Sequence, residues 1–305
     1  VFMKIKKGML YIGSLMCMLI LAGCGANKNQ LFEFKEPDKI SVVTTIYPMQ
    51  DFVTQIGGDK VEVINLVPAG VEPHDFELTT GDMGLLEQAQ MFIYNGAGME
   101  HFVDKTIDAL GNQNLTVVEA SKTVATIPGG EEEIDPHTWL SIENAKQECE
   151  VICDALCEYD KENEEYYRSN LEAYQEKLDD LYKQYEQTIE GCSKDTIVVA
   201  HEAFGYLCNE FGLKQEAIEG LTADSEPDSA RMKEIIDLCK EEDIKIIFFE
   251  ELVSPKVAQT IASETGATTM VLNPIEGITE EQKESGSDYI SLMQENCKAL
   301  EQALK

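Results

Sequence analysis

Three of the four histidines in the chain stand where the backbone is turned or stiffened. His74 closes the turn PAGVEPH, in which Gly70 and Pro73 shape the main chain. His137 follows Pro136 directly in EIDPHTWLS, two residues before Trp139, the single tryptophan. His201 ends the apolar run TIVVA. Taken singly, a histidine is more often a structural group than a ligand. Three of them in loops, two beside prolines, point to one shared site, because binding residues concentrate in loops positioned by rigid elements. In open α/β sheets that place is the crevice beyond the carboxyl ends of the strands.

Such loops require strands to set them. Near-continuous apolar runs at 40–48, 61–67, 91–97 and 115–120 alternate with helix-length stretches, and runs at 196–204, 213–220, 244–251 and 268–274 repeat the plan. Strands of this kind form parallel sheets covered on both faces. The expected fold is therefore α/β, with two lobes, each a parallel sheet flanked by helices. Between them, 162–190 contains neither Gly nor Pro. Leu171, Tyr174, Leu178, Leu181 and Tyr185 recur there at 3,4,3,4 spacing, which predicts a long amphipathic helix joining the lobes. A terminal helix is expected over 288–304. The division expected is 38–160 for the first lobe, 161–192 for the linking helix and 193–305 for the second lobe. GGEEEIDP (129–136) reads as an acidic loop that delivers His137.

The 305 residues carry 24 Lys and Arg against 57 Asp and Glu, a net charge of −33, which excludes nucleic acid as a partner. Residues 1–23 join a basic stretch (Lys4, Lys6, Lys7) to an uninterrupted apolar run, the plan of a secretory signal. The run stops at Leu21-Ala22-Gly23-Cys24, which resembles the lipobox of bacterial lipoproteins. That resemblance implies cleavage before Cys24, acylation of its thiol, and a polar tether over 24–37. The mature protein is then expected outside the cytoplasm, anchored to the membrane by lipid. Beyond Cys17 and Cys24 seven cysteines remain, at 149, 153, 157, 192, 208, 239 and 297, so they cannot all pair. Cys149, Cys153 and Cys157 fall one helical turn apart beside Ala145, Ile152 and Leu156 and read as small buried hydrophobes. A thiolate metal site is the alternative, disfavoured by the absence of any CxxC pair.

Seven blocks, VVTTIYPMQDFV, VPAGVEPHDFE, YNGAGME, DPHTWLS, VVAHEAFGYL, EELVSPKVAQTIASETG and VLNPIEGIT, occur in an order and at separations similar to those of a known family. That family is the zinc-type, metal-binding substrate-binding lipoproteins of bacterial ABC importers. The resemblance runs from about Lys39 to the C-terminus. It implies two lobes joined by a long helix, with metal in the cleft between them. Its metal ligands map onto His74 (EPH), His137 (DPHTW), His201 (AHEAF) and Glu276 (NPIEG). It implies zinc as the transported ligand, a membrane permease as partner, and no catalytic residues; a monomer is expected. Manganese-importing relatives typically carry a carboxylate at the third position and Asp at the fourth. His201 and Glu276 therefore favour zinc over manganese, in line with the preference of Mn²⁺ for oxygen. Affinity is expected to fall below about pH 6, because zinc needs neutral imidazoles with a reference value near ~6.5.

Glu72, Glu100 and Trp139 are candidates to support the ligands, the carboxylates by orienting imidazole N–H groups. Glu250 and Glu251 are the rival carboxylate ligands, ranked behind Glu276. His101 reads as a surface or cleft-wall residue. The acidic stretch PGGEEEID is short and lacks the histidines of the long loop that some zinc-uptake proteins carry. Three other functions compete. A zinc hydrolase needs an open coordination position and a base, and no HExxH occurs. A surface adhesin would need a host-binding patch that the sequence does not show. A manganese importer would need the other ligand set.

Overall fold

A computed structural model of the chain describes residues 33–74, 76–129, 134–221 and 227–305. The leader, Cys24 and most of the expected tether lie outside these residues, as do 130–133 of the acidic loop. All eight apolar runs contain strands, each shorter than the run itself. β1 (Ile40–Thr44), β2 (Val61–Asn65), β3 (Met91–Tyr94) and β4 (Thr116–Glu119) pair in parallel in the order β2-β1-β3-β4. β5 (Thr196–Val199), β6 (Lys214–Ala217), β7 (Ile246–Phe249) and β8 (Thr268–Val271) repeat it as β6-β5-β7-β8. The strands end early because the last residues of each run leave the sheet to make loops. After β1, for example, Tyr47 and Pro48 open α1 (Tyr47–Gly57), where proline needs no amide partner.

The remaining helices cover both sheets. The first lobe adds α2 (Thr80–Leu86), α3 (Val103–Ala109) and α4 (Ile142–Tyr159). The long helix α5 (Glu164–Glu190) follows. The second lobe holds α6 (Gly205–Phe211), α7 (Ser229–Glu241), α8 (Lys256–Thr265), α9 (Glu280–Ser285) and α10 (Tyr289–Leu304). The 27 residues of α5 span about 40 Å at 1.5 Å per residue. Tyr174, Leu178, Leu181 and Tyr185 are buried on its inner face. Its tyrosines reach both lobes: Tyr174 Oη donates to Asp51 Oδ2 of α1 (3.1 Å), and Tyr185 Oη to the Met293 carbonyl of α10 (2.7 Å).

One apolar core runs from β1 and α1 through α4 and α5 to β5 and α10, with smaller clusters on the outer face of each sheet. Polar ties cross the same boundary. Glu210 of α6 accepts from Ser141 Oγ (2.9 Å), Ile142 N (2.8 Å) and Glu143 N (3.0 Å), an anion placed at the amino end of α4. The indole of Trp139 donates to the Pro274 carbonyl (2.8 Å), and Tyr289 Oη to the Trp139 carbonyl (2.5 Å). The seven cysteines of the described residues are free, and Cys149, Cys153 and Cys157 are buried.

Candidate metal centre

Each histidine reaches the cleft by a different local device. His74 ends the turn after β2, where Gly70, at φ 79°, adopts a backbone that only glycine takes without strain and donates its amide to the Ile278 carbonyl (2.8 Å). His137 does not follow a strand directly; it precedes a 3₁₀ turn (Thr138–Leu140) that leads into α4. Asp135 sets it in place. One carboxylate oxygen accepts both the His137 amide (3.0 Å), an Asx-type turn, and its Nδ1 (2.7 Å). His201 lies two residues beyond β5, and its Nδ1 meets Glu250 Oε1 at the end of β7 (2.6 Å). Glu276 follows Ile275, a β-branched residue at φ 60°, a sparsely populated conformation of the kind concentrated at functional sites. The Ile275 amide donates to Asn273 Oδ1 (2.7 Å), and the Tyr47 amide of the first lobe donates to the Glu276 carbonyl (3.0 Å).

These devices bring the four side chains together. One ligand atom each from His74, His137, His201 and Glu276 lies within 4.8 Å of every other. Ring centroids are 5.5 Å apart for His74 and His137, 5.3 Å for His74 and His201, and 4.9 Å for His137 and His201. Glu276 Oε1 is 2.9 Å from His137 Nε2, 3.5 Å from His74 Nε2 and 3.8 Å from His201 Nδ1. Ligands of a tetrahedral ion at ~2.0–2.1 Å stand about 3.4 Å apart. The cluster is therefore within about 1.5 Å of a zinc shell. His74 is the most exposed of the four side chains, at 11%.

Several polar atoms of the cluster lack partners, although both nitrogens of His201 are engaged. Among the described residues His74 Nε2, His137 Nε2 and both oxygens of Glu276 are buried without a hydrogen bond. An unsatisfied buried polar atom costs about 1–3 kcal/mol, so four in one place mark a site shaped for something that binds them all. Electrostatics agree. Burial opposes the charge of His201, but Glu250 and Glu276 outweigh it and lift the imidazole to about 10. Burial likewise opposes the charge of His137, and Asp135 and Glu276 raise it above its ordinary value. Burial opposes ionisation of Glu276, yet the surrounding imidazoles, His74 first, hold it well below the usual carboxylate range. Imidazoles made this basic hold their protons more firmly, and a metal has to displace them.

The other candidates fall into place around the four. Glu72 accepts the His74 amide (3.3 Å), and burial next to Glu276 and Glu250 pushes its carboxyl up to about 8. Glu100 accepts from Thr45 Oγ1 (2.5 Å), Asn95 N (2.8 Å) and Gly96 N (2.9 Å), and burial raises it to about 7. These hydrogen bonds go to main chain and hydroxyl, not to imidazole. The groups that orient the rings are instead Asp135 and Glu250. Asp135 was hidden in plain sight, two residues before His137, while Glu250 stood among the rival ligands. Glu251 turns away to Asn273 and Gln282. Trp139 is fully buried, its ring 5.5 Å from that of His137 in an edge arrangement. Its indole N–H ties it to the second lobe. His101 is exposed. Gly277 marks how closely the lobes approach: a Cβ there would meet the Val71 carbonyl of the first lobe at 3.4 Å.

A family model described as "Zinc-uptake complex component A periplasmic" matches residues 42–303. The chain belongs to this zinc-uptake family. Among its relatives is the "High-affinity zinc uptake system protein ZnuA" of Bacillus subtilis (strain 168), 40% identical over 302 residues that cover 94% of this chain and 95% of the relative. The "Zinc-binding lipoprotein AdcA" of Streptococcus pneumoniae (strain ATCC BAA-255 / R6) is 37% identical over 97% of this chain, which spans about three fifths of that longer protein (61%). The crystal structure of the Zn(II)-bound ZnuA-like domain of Streptococcus pneumoniae AdcA is 39% identical, with a TM-score of 0.79 over 87% of this chain and 99% of that one. The two-lobed fold with its joining helix is thus the fold of zinc-binding relatives.

Proposed function

We propose that the protein captures Zn²⁺ outside the cytoplasm with His74, His137, His201 and Glu276, and delivers it to the permease of an ABC importer. The observation that carries this reading is the convergence of four buried ligating side chains between the lobes, with the ligand atoms of His74, His137 and Glu276 left without a hydrogen bond among the described residues. Zinc is favoured over manganese because three nitrogens and one carboxylate oxygen suit zinc, whereas manganese prefers oxygen. Transport is favoured over catalysis because four protein ligands leave no open position for an activated water. Acylation of Cys24 would hold a monomeric protein at the membrane surface. The lobes share a core, and the Tyr47–Glu276 and Trp139–Pro274 bonds cross between them. Release therefore proceeds by small shifts that withdraw ligands, biased by the permease, and not by wide opening.

The test is metal analysis of protein purified without added metal, followed by competition between Zn²⁺ and Mn²⁺ monitored through Trp139. One equivalent of zinc, retained against excess manganese, is expected. Preference for manganese would overturn the assignment. His101→Ala serves as control and leaves zinc affinity within about twofold, since an exposed side chain outside the cluster contributes little.

A further inference from the structure

Away from the imidazole centre, α4 carries a second pair of metal-ligating side chains. Cys153 Sγ and Cys157 Sγ, one helical turn apart, stand 3.9 Å from each other. Both residues are buried, Cys157 at 5% exposure. The helix forbids a disulfide here. Cβ atoms at i and i+4 are about 5–6 Å apart, whereas a disulfide requires about 3.5–4.5 Å. The same spacing suits a bridging ion: at a metal–sulfur distance near ~2.3 Å, a separation of 3.9 Å subtends about 116°. A linear ion would need about 4.6 Å, so the observed separation fits a bent arrangement.

The surroundings keep both thiols protonated, so a bound ion has to displace their protons. Burial pushes the Cys153 thiol up to about 12 and raises that of Cys157, and the Arg168 guanidinium opposes the shift at both. Cys157 Sγ also faces the Glu164 carbonyl (3.8 Å). Among the described residues the imidazole centre is the one cluster of three or more ligating side chains, so this pair offers two sulfurs and no third ligand. Two soft donors without nitrogen or carboxylate are wrong for four-coordinate zinc and right for a soft monovalent ion.

We propose that Cys153 and Cys157 form a two-thiolate site for Cu(I), independent of the zinc centre. Binding exchanges two S–H bonds for two S–Cu bonds and releases two protons to solvent, with no change of oxidation state. The site would give the protein a place for cuprous ion that leaves the imidazoles to zinc.

The experiment uses zinc-loaded protein without oxygen, with Cu(I) supplied on a coloured Cu(I) chelator. The wild type is expected to withdraw one equivalent and to develop thiolate-to-copper charge-transfer absorption. Cys153→Ala and Cys157→Ala each weaken uptake at least about a hundredfold, above the range for loss of a mere supporting partner. Cys239→Ala and the retained zinc serve as controls. A measurement that needs no variant is alkylation read by peptide mass spectrometry, in which Cu(I) protects Cys153 and Cys157 selectively. Uptake that persists in the double variant, or wild-type protein in which Cu(I) leaves both thiols open to alkylation, overturns the proposal.

Discussion

The two halves of the zinc centre are built alike and left in different states. In the first lobe His137 is held at Nδ1 by Asp135, and its Nε2, like that of His74, meets no hydrogen-bond partner. In the second lobe His201 is held at Nδ1 by Glu250, yet its Nε2 also faces the Leu221 carbonyl (2.8 Å). The first half is a prepared receiver. The second must surrender a bond before its imidazole can ligate. On the proposed ligand set, a metal would gain His74 and His137 at no such cost, and completing the shell with His201 would join binding to a local rearrangement.

The largest effect should come from breaking the prepared half. His137→Ala removes a buried nitrogen 2.9 Å from Glu276 and leaves that carboxylate without a neighbour it needs. Zinc affinity by calorimetry or chelator competition should fall by more than about a hundredfold, beyond the 10–100-fold typical of supporting partners. His201→Ala should also cost affinity, but by less, because the wild-type ring must first give up a hydrogen bond. A larger loss at His201 than at His137 would reverse the comparison.

Next in size are the orienting carboxylates. Asp135→Asn and Glu250→Gln should each lower affinity about 10–100-fold at neutral pH. Their pH profiles separate them further. The raised basicity of His201, near 10, means that zinc competes with a proton on that ring at every pH below about 10, so affinity declines as pH falls through the neutral range. Removing the Glu250 charge should move that decline toward ~6.5, the ordinary value for histidine. Affinity measured from pH 6 to 9 should therefore change less steeply in Glu250→Gln than in the wild type. An unaltered slope would mean that Glu250 positions the ring without setting its proton affinity.

How far these features were legible depends on how local their causes are. The eight strands show in sequence because parallel strands are buried on both faces and leave continuous apolar runs; only their ends misled, since residues such as Tyr47 and Pro48 begin a helix. The inner face of α5 shows because its period is that of one helix. Glu250 as the partner of His201 does not show, because 49 residues separate them and only the pairing of β5 with β7 sets them side by side. The shared core is illegible for the same reason. Tyr289 and Trp139 look like ordinary buried aromatics until their hydroxyl and indole groups are seen to cross between lobes, and Tyr185 until its hydroxyl is seen to tie the joining helix to α10.

The smallest effect on zinc, with the clearest effect on stability, belongs to Glu148 of α4. Both its oxygens are buried and poorly partnered among the described residues; burial first, with Glu100 adding repulsion and the Thr138 side chain opposing, raises its carboxyl to about 8. Like the free nitrogens of His74 and His137, it places unpaired polar atoms in the first lobe. Its acidity is higher in the unfolded chain, near 4.5, so the stability it allows is complete below that pH and lost as pH rises through about 8. A shift of that size amounts to several kcal/mol above pH 8. Glu148→Gln cannot ionise. In zinc-free protein it should melt with the wild type at pH 5 and several degrees above it at pH 8.5, at about 2–4 °C per kcal/mol, while zinc affinity changes only a few-fold. A wild type that melts with or above the variant at pH 8.5 would mean that Glu148 has a partner when charged, and the contrast between the two halves would then rest on the imidazoles alone.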